Sequence, residues 1–365
     1  MIYHKFNFLF FCVFFQSIFL QGQNKINVEE SEQPPFFEIK EIFHGERFPN
    51  IIVTTKGTVL AIWGRETVRV KRSEDGGNTW SHEITIGRGL HGGGAIVDDN
   101  TGRVFVFVEE KHPPAKSKMY ISDDDGISWH KKAIKITENS LGHIPSMHMN
   151  EAGITLKYGK YKGRIIKPTR YYGKGNDRPF WDDHYTNAMY SDDHGDTWQT
   201  SEPFPATGTG EAAIVELSNG TLYYNSRRHK STDGRDPKRR HTAISEDGGK
   251  TWMDLKVVSE LPDGDQGRDY GLMAGLTKLS HGDKDLLLFS NIISDDIRKN
   301  GFVWVSEDDG KTWPYKKLID AGSFAYSSMT YGKDNSPSAG YIYLFYEGAE
   351  NGRVARFNIP WLLSE

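Results

Sequence analysis

Five copies of one eight-residue phrase constrain this 365-residue chain more than any other feature it carries. They are Ser73-Glu-Asp-Gly-Gly-Asn-Thr-Trp80, Ser122-Asp-Asp-Asp-Gly-Ile-Ser-Trp129, Ser191-Asp-Asp-His-Gly-Asp-Thr-Trp198, Ser245-Glu-Asp-Gly-Gly-Lys-Thr-Trp252 and Ser306-Glu-Asp-Asp-Gly-Lys-Thr-Trp313. All read S-x-D-x-G-x-(T/S)-W, and their starts lie 49, 69, 54 and 61 residues apart. A turn recurring at a near-constant period marks one supersecondary unit laid down repeatedly. The Ser and Asp side chains can bond nearby backbone N–H groups, and the Gly permits a positive φ. The Trp can then anchor the turn in the apolar layer beneath it. Such regularity reads as scaffold and not as a calcium or catalytic site.

Each copy follows a short β-rich run: Thr67 to Lys71, Lys118 to Ile121, Thr186 to Tyr190, His241 to Ile244 and Phe302 to Val305. Paired runs precede these, such as 51–54 with 58–62 around Lys56-Gly57. The 38 Gly, 15 Pro and 13% aromatic residues suit many short strands and turns. A last unit, Tyr326 to Tyr331, Tyr341 to Tyr346 and Val354 to Phe357, has no box, and the run Phe36 to Ile42 can pair with the chain's end to close a ring. The expectation is an all-β, six-bladed β-propeller with five box turns, a single domain over 36–365, and one blade shared between the termini.

His4 and Lys5, the apolar run Phe8 to Leu20 and the exit Gln21-Gly22-Gln23 read as a secretory signal over 1–22, followed by a polar lead-in at 23–35. The run is short for a membrane span. The mature chain is therefore expected to be secreted or periplasmic, monomeric and without a membrane span. Cys12, the sole cysteine, lies inside the leader, so packing and not disulfides must supply stability. A net charge of −4 and a pI near 6.4 give no argument for nucleic acid. The basic stretch 227–241 reads as a solvated hairpin rim, because 231–237 interrupts it.

Several segments carry a more specific likeness. Glu46-Arg47-Phe48-Pro49-Asn50, and Gly210-Glu211 running through Asn225-Ser226-Arg227, resemble the opening arginine segment and the Glu-to-Arg segment of bacterial exo-sialidases. Phe289-Ser-Asn291 through Arg298 to Trp313, then Ala325-Tyr326-Ser-Ser328 and Ala355 to Trp361, resemble that family's third-arginine, tyrosine and closing segments. The resemblance covers nearly all of the mature chain and implies a six-bladed propeller with Asp-box turns. It implies an arginine triad of Arg47, Arg227 and Arg298, with Tyr326 as nucleophile and Glu211 as its partner. That set is chemically coherent. Three guanidiniums can hold the carboxylate on the anomeric carbon of a sialic acid. A neutral Tyr, deprotonated by a neighbouring Glu, avoids the repulsion that carboxylate would exert on an Asp nucleophile.

The family's acid/base Asp has no counterpart here. The loop that would carry it is cut to Trp63-Gly-Arg-Glu-Thr-Val-Arg69, and a later segment reads Leu90-His91-Gly-Gly-Gly94. Glu66 and His91 are the nearest titratable replacements, with Arg65 beside the first as a substrate contact. The insertion from Lys167 to Tyr185 offers Arg170 and aromatic faces of the kind that grip sugars, or else a cap on one blade. Three readings remain open: an exo-sialidase; a hydrolase or lyase for another acidic sugar; and a non-catalytic lectin for a carboxylate sugar. Each takes sialylated or other acidic glycans. None calls for a cofactor or a metal.

Overall fold

The computed structural model describes residues 33–267 and 271–365. The expected leader at 1–22, Cys12 within it and most of the polar lead-in lie outside the described residues. Among those described, six small sheets follow one another along the chain. The fourth shows the pattern: Thr209–Glu216, Leu222–Arg228, Arg239–Ser245 and Met253–Pro262 form an antiparallel meander. The second and third sheets carry a fifth strand, and the other four have four. These are the blades of the expected six-bladed propeller.

The ring closes between the two ends of the described chain. Phe37–His44 pairs antiparallel with Asn351–Phe357, Phe37 opposite Phe357, as the outermost strand of the sixth blade. Asn358 pins the joint: its Oδ1 accepts from Phe36 N at 2.9 Å and from Trp361 N at 3.1 Å, capping the short helix Ile359–Leu362. One apolar cluster fills each of the six blade-to-blade interfaces among the described residues. Trp198, fully buried, meets Phe105 and Phe107 of the preceding blade edge-on at 5.9 and 6.0 Å. Burying an aliphatic or Phe side chain contributes roughly 1.5–3 kcal/mol, so these interfaces hold the ring without disulfides.

All five boxes have the same bonding. The Ser Oγ accepts from the Gly N–H four residues on at 2.7–2.9 Å. The Asp carboxylate accepts the N–H four residues on at 2.9–3.0 Å. The residue before the Gly also sits in the left-handed region, with φ of 58–70° at Gly76, Asp125, His194, Gly248 and Asp309. That need explains why Gly and Asp prevail at a position the repeat pattern leaves open. Three boxes also rivet neighbouring blades: Arg356, Arg72 and Arg164 each donate to the carbonyl of this residue in the next blade, at Gly76, Asp125 and Gly248. Trp198, Trp252 and Trp313 are buried, while Trp80 and Trp129 pack half-buried against their clusters.

Each box follows the third strand of its blade. First strands start, and second strands end, at the opposite face of the ring. That opposite face collects Arg47, Glu211, Arg227, Arg298 and Tyr326, all at or just beyond strand ends. The boxes are therefore remote from these candidate site residues.

Candidate active site

Glu211 owes its position to a register break. The pairing of Thr209–Glu216 with Leu222–Arg228 slips between Thr209 and Ala212, and such a bulge re-aims the side chain it contains. Gly210 allows His229 to lie close behind, since a Cβ there would stand 1.9 Å from His229 Nε2. Across the channel, Tyr326 donates from its hydroxyl to Glu211 Oε1 at 3.1 Å. Arg227 Nη1 donates to Glu211 Oε2 at 2.6 Å and to the Tyr326 hydroxyl at 3.3 Å.

The electrostatics divide the proton clearly. Burial pushes the Glu211 carboxyl up, but the guanidiniums of Arg227 and Arg170 outweigh it and hold it below the usual range. Burial and the Glu211 charge raise the Tyr326 phenol, against the pull of Arg227, Arg298 and Arg47. The pair thus stands as carboxylate and neutral phenol, an acceptor poised against the proton it would take.

Arg47 and Arg298 frame the tyrosine. Their guanidinium carbons lie 5.1 and 5.2 Å from the Tyr326 ring centroid. Arg47 is held by a fork-to-fork pair with Glu347, Nε to Oε1 at 3.1 Å and Nη2 to Oε2 at 2.9 Å. Glu347 Oε1 also accepts from Phe48 N at 3.1 Å. Phe48 has φ 82°, a conformation a bulky residue keeps only when its surroundings insist. Its ring packs 6.4 Å from that of Tyr326 and 5.2 Å from that of His148. Five residues from four separate segments, Arg47, Glu211, Arg227, Arg298 and Tyr326, therefore converge on one cluster.

Other expected residues fall elsewhere. His91 is fully buried, both ring nitrogens lack a partner among the described residues, and burial with the nearby Lys167 pushes its pKa down to about 3. It is a neutral wall residue and does not line the mouth. The glycines after it serve packing and not ligand approach: a Cβ on Gly93 would stand 2.4 Å from Asn150 N. Glu66 is exposed in a turn fixed by Glu46, whose Oε2 accepts from Arg65 N at 2.6 Å and Glu66 N at 3.0 Å. With Arg65 it lines a depression walled by Arg88, Gly89, Leu90, Glu110, Lys111 and Lys118.

Arg170 is brought near the same cluster. Buried beside Tyr172, whose ring lies 4.2 Å away, it contacts His184 Nδ1 and helps to depress Glu211. The insertion also sets Trp181 against His229, 5.0 Å between ring centroids. The basic stretch is not a solvated rim. Arg228 and Arg240 are buried on Asp233 and Asp263, and only the tip near 230–236 is exposed.

Glu347 and Phe48 stand in segments that carry the resemblance but had no site role from the sequence, and His148, His229 and His112 had none either. Glu347 ends the strand Ile342–Glu347, an acid closing an apolar run. Among the described residues no three His, Cys, Asp or Glu side chains group to hold a metal ion, and no helix is long and apolar enough to cross a membrane.

A family model for the BNR repeat-like domain matches residues 57–344, most of the sequence, and the chain belongs to that family. It is 29% identical over 359 residues to a sialidase of Micromonospora viridifaciens, covering 88% of this chain and 53% of that protein. It is 27% identical over 335 residues to a sialidase of Bacteroides fragilis, covering 78% and 57%. The chain thus spans little more than half the length of these curated relatives. Among solved structures, the Hadza microbial sialidase Hz136 superposes with a TM-score of 0.68 at 21% identity, over 87% of this chain and 66% of that one. An intramolecular trans-sialidase from Ruminococcus gnavus gives 0.63 at 18%, over 89% and 96%. These two likenesses concern the propeller fold.

Proposed function

We propose that this protein is a secreted or periplasmic, retaining exo-sialidase that removes terminal sialic acid from glycoconjugates. The observation that carries the reading is the Tyr326–Glu211 hydrogen bond set beneath three guanidiniums. The surplus of cationic over anionic side chains around the pair suits an anionic sugar. In this mechanism Arg47, Arg227 and Arg298 hold the sugar's carboxylate and so fix its anomeric carbon over the phenol. Glu211 takes the phenolic proton as the Tyr326 oxygen bonds to that carbon, which gives a covalent glycosyl-tyrosine and, after water attack, net retention. Buried Arg227 and Arg170 keep Glu211 ionised until the proton arrives. The sialidase relatives support the same substrate class.

The test is release of free sialic acid from 3′-sialyllactose by the purified protein, with Arg298→Ala as control. Release by the wild type, lost in the control, is the expected result. No release would sink the reading. An unsaturated, near-ultraviolet-absorbing product would identify a lyase, and binding without turnover a lectin. N-terminal sequencing of the exported protein tests secretion, with a mature start near residue 23 expected.

A further inference from the structure

A glycosidic bond breaks readily only if its leaving oxygen receives a proton, and Glu211, which collects the proton of Tyr326, cannot also give one at that moment. A second titratable group must therefore stand at the mouth, open to the substrate. Most of those nearby are unavailable. Glu347 is engaged by Nε and Nη2 of Arg47. His148 and His229 are only 3% and 7% exposed, and burial holds both well below the usual imidazole range, so neither readily carries a proton. His184 is engaged at both ring nitrogens, by Arg170 and the Gly175 carbonyl.

His112 differs from all of them. It is exposed, in the segment between Val104–Glu109 and Ser117–Ser122. Its ring stands edge-on to His148, 4.5 Å between centroids, and 6.5 Å from that of Tyr172. His148 in turn meets Phe48 at 5.2 Å, and Phe48 lies 6.4 Å from Tyr326. This row of rings runs from His112 through His148 and Phe48 to the phenol. Glu211, Arg170 and Arg65 all lie within its electrostatic reach.

Resting on the sialidase reading, we propose that His112 is the general acid and base of the reaction. The Tyr326 oxygen bonds to the anomeric carbon as the bond from that carbon to the aglycone oxygen breaks. The released electron pair stays on the aglycone oxygen, which takes the proton from the His112 imidazolium, while the phenolic proton passes to Glu211. In the second half neutral His112 takes a proton from water. The water oxygen bonds to the anomeric carbon, the bond to Tyr326 breaks, and the phenol recovers its proton from Glu211. Sialic acid leaves, and His112 is protonated again.

In the free protein, partial desolvation of a ring that packs on His148 while one side stays open to solvent, then Arg170 and Arg65, hold His112 below its ordinary value against the opposing pull of Glu211. His148 and Tyr172, the other groups facing it, are held neutral. The protonated form that starts the reaction is thus an acidic-pH species.

The experiment compares His112→Ala and His112→Gln with wild type on 3′-sialyllactose, a poor leaving group, and on 4-nitrophenyl α-sialoside, whose aglycone departs without a proton. Loss of an acid predicts a fall in kcat/KM of about 10²–10⁴-fold on sialyllactose and tenfold or less on the aryl glycoside. Azide, which needs no base to attack, restores kcat on the aryl substrate and yields sialyl azide. The alkaline fall of the wild-type kcat/KM profile on sialyllactose disappears in both variants. A wild type active on both substrates, with variants unimpaired or impaired equally on each, overturns the role of His112 alone. A wild type inert on both overturns the sialidase reading and His112 together.

Discussion

Tyr326 and Glu211 share one hydrogen bond of 3.1 Å, and their surroundings drive their proton affinities apart. Glu211 is kept ionised chiefly by Arg227 and Arg170 against burial, whereas Tyr326 is kept protonated by burial and by Glu211 itself. Replacing Glu211 with Gln keeps the shape and removes the proton acceptor. Turnover of sialyllactose is expected to fall about 10²–10⁴-fold, the usual worth of a positioned base. Tyr326→Phe should abolish turnover while leaving sugar binding measurable by calorimetry. Wild-type-like rates in Tyr326→Phe would refute the nucleophile.

The pairing of Arg47 with Glu347 makes a different prediction. Glu347 touches no expected substrate atom, yet it fixes the guanidinium and, through Phe48 N, the strained loop that bears it. Glu347→Ala should raise KM about 10- to 100-fold, because a hydrogen bond to a charged group contributes about 1.5–3 kcal/mol, and should change kcat much less. Steady-state kinetics decides. An unchanged KM would show that Arg47 holds its place without the carboxylate.

The scaffold was far more legible in the sequence than the site. Box turns are local: Ser, Asp and Gly within five residues carry their own bonding, so a five-fold repeat exposes them. Ring closure was legible because Phe37–His44 alternates weakly but matches an unpaired last unit. The mouth has no such locality. Phe48, His112, His148 and Glu347 come from different blades, and nothing in any one segment signals the others. His91 misled because glycines beside a histidine look the same whether they admit a ligand or, as here, the backbone of 149–151.

Asp247 offers a test of the scaffold that should leave chemistry untouched. Its carboxylate accepts from Lys250 N at 2.9 Å, Thr251 N at 3.0 Å and the Thr251 hydroxyl at 2.6 Å. The box lies at the face opposite Tyr326. Asp247→Ala should cost about 1–3 kcal/mol in urea unfolding, the range for orphaned donors, and Asp247→Asn less, since it keeps one acceptor oxygen. Activity at 25 °C should persist. Activity falling in step with stability at that temperature would contradict the separation of the two faces.

Glu151 gives the last prediction, which concerns stability and pH. It is 1% exposed, with Oε1 accepting from Ser328 Oγ at 2.7 Å and Met329 N at 3.2 Å, while Oε2 meets no donor among the described residues. Burial raises its pKa from 4.5 to about 8, against the lowering effect of those hydrogen bonds. Between these values the folded protein holds a proton that the unfolded chain has released. Its contribution is therefore complete below pH 4.5 and is lost as pH climbs through 8. Glu151→Gln carries no such proton and should remove a slope of about 1.4 kcal/mol per pH unit across that window. Lys167, whose pKa burial lowers from 10.5 to about 7, works in the opposite direction above pH 7. The quantity to measure is thus the difference between variant and wild type, by urea unfolding at pH 5 and pH 8. The variant should gain on the wild type as pH rises, and parallel stabilities at the two pH values would mean that Glu151 is already ionised in the fold.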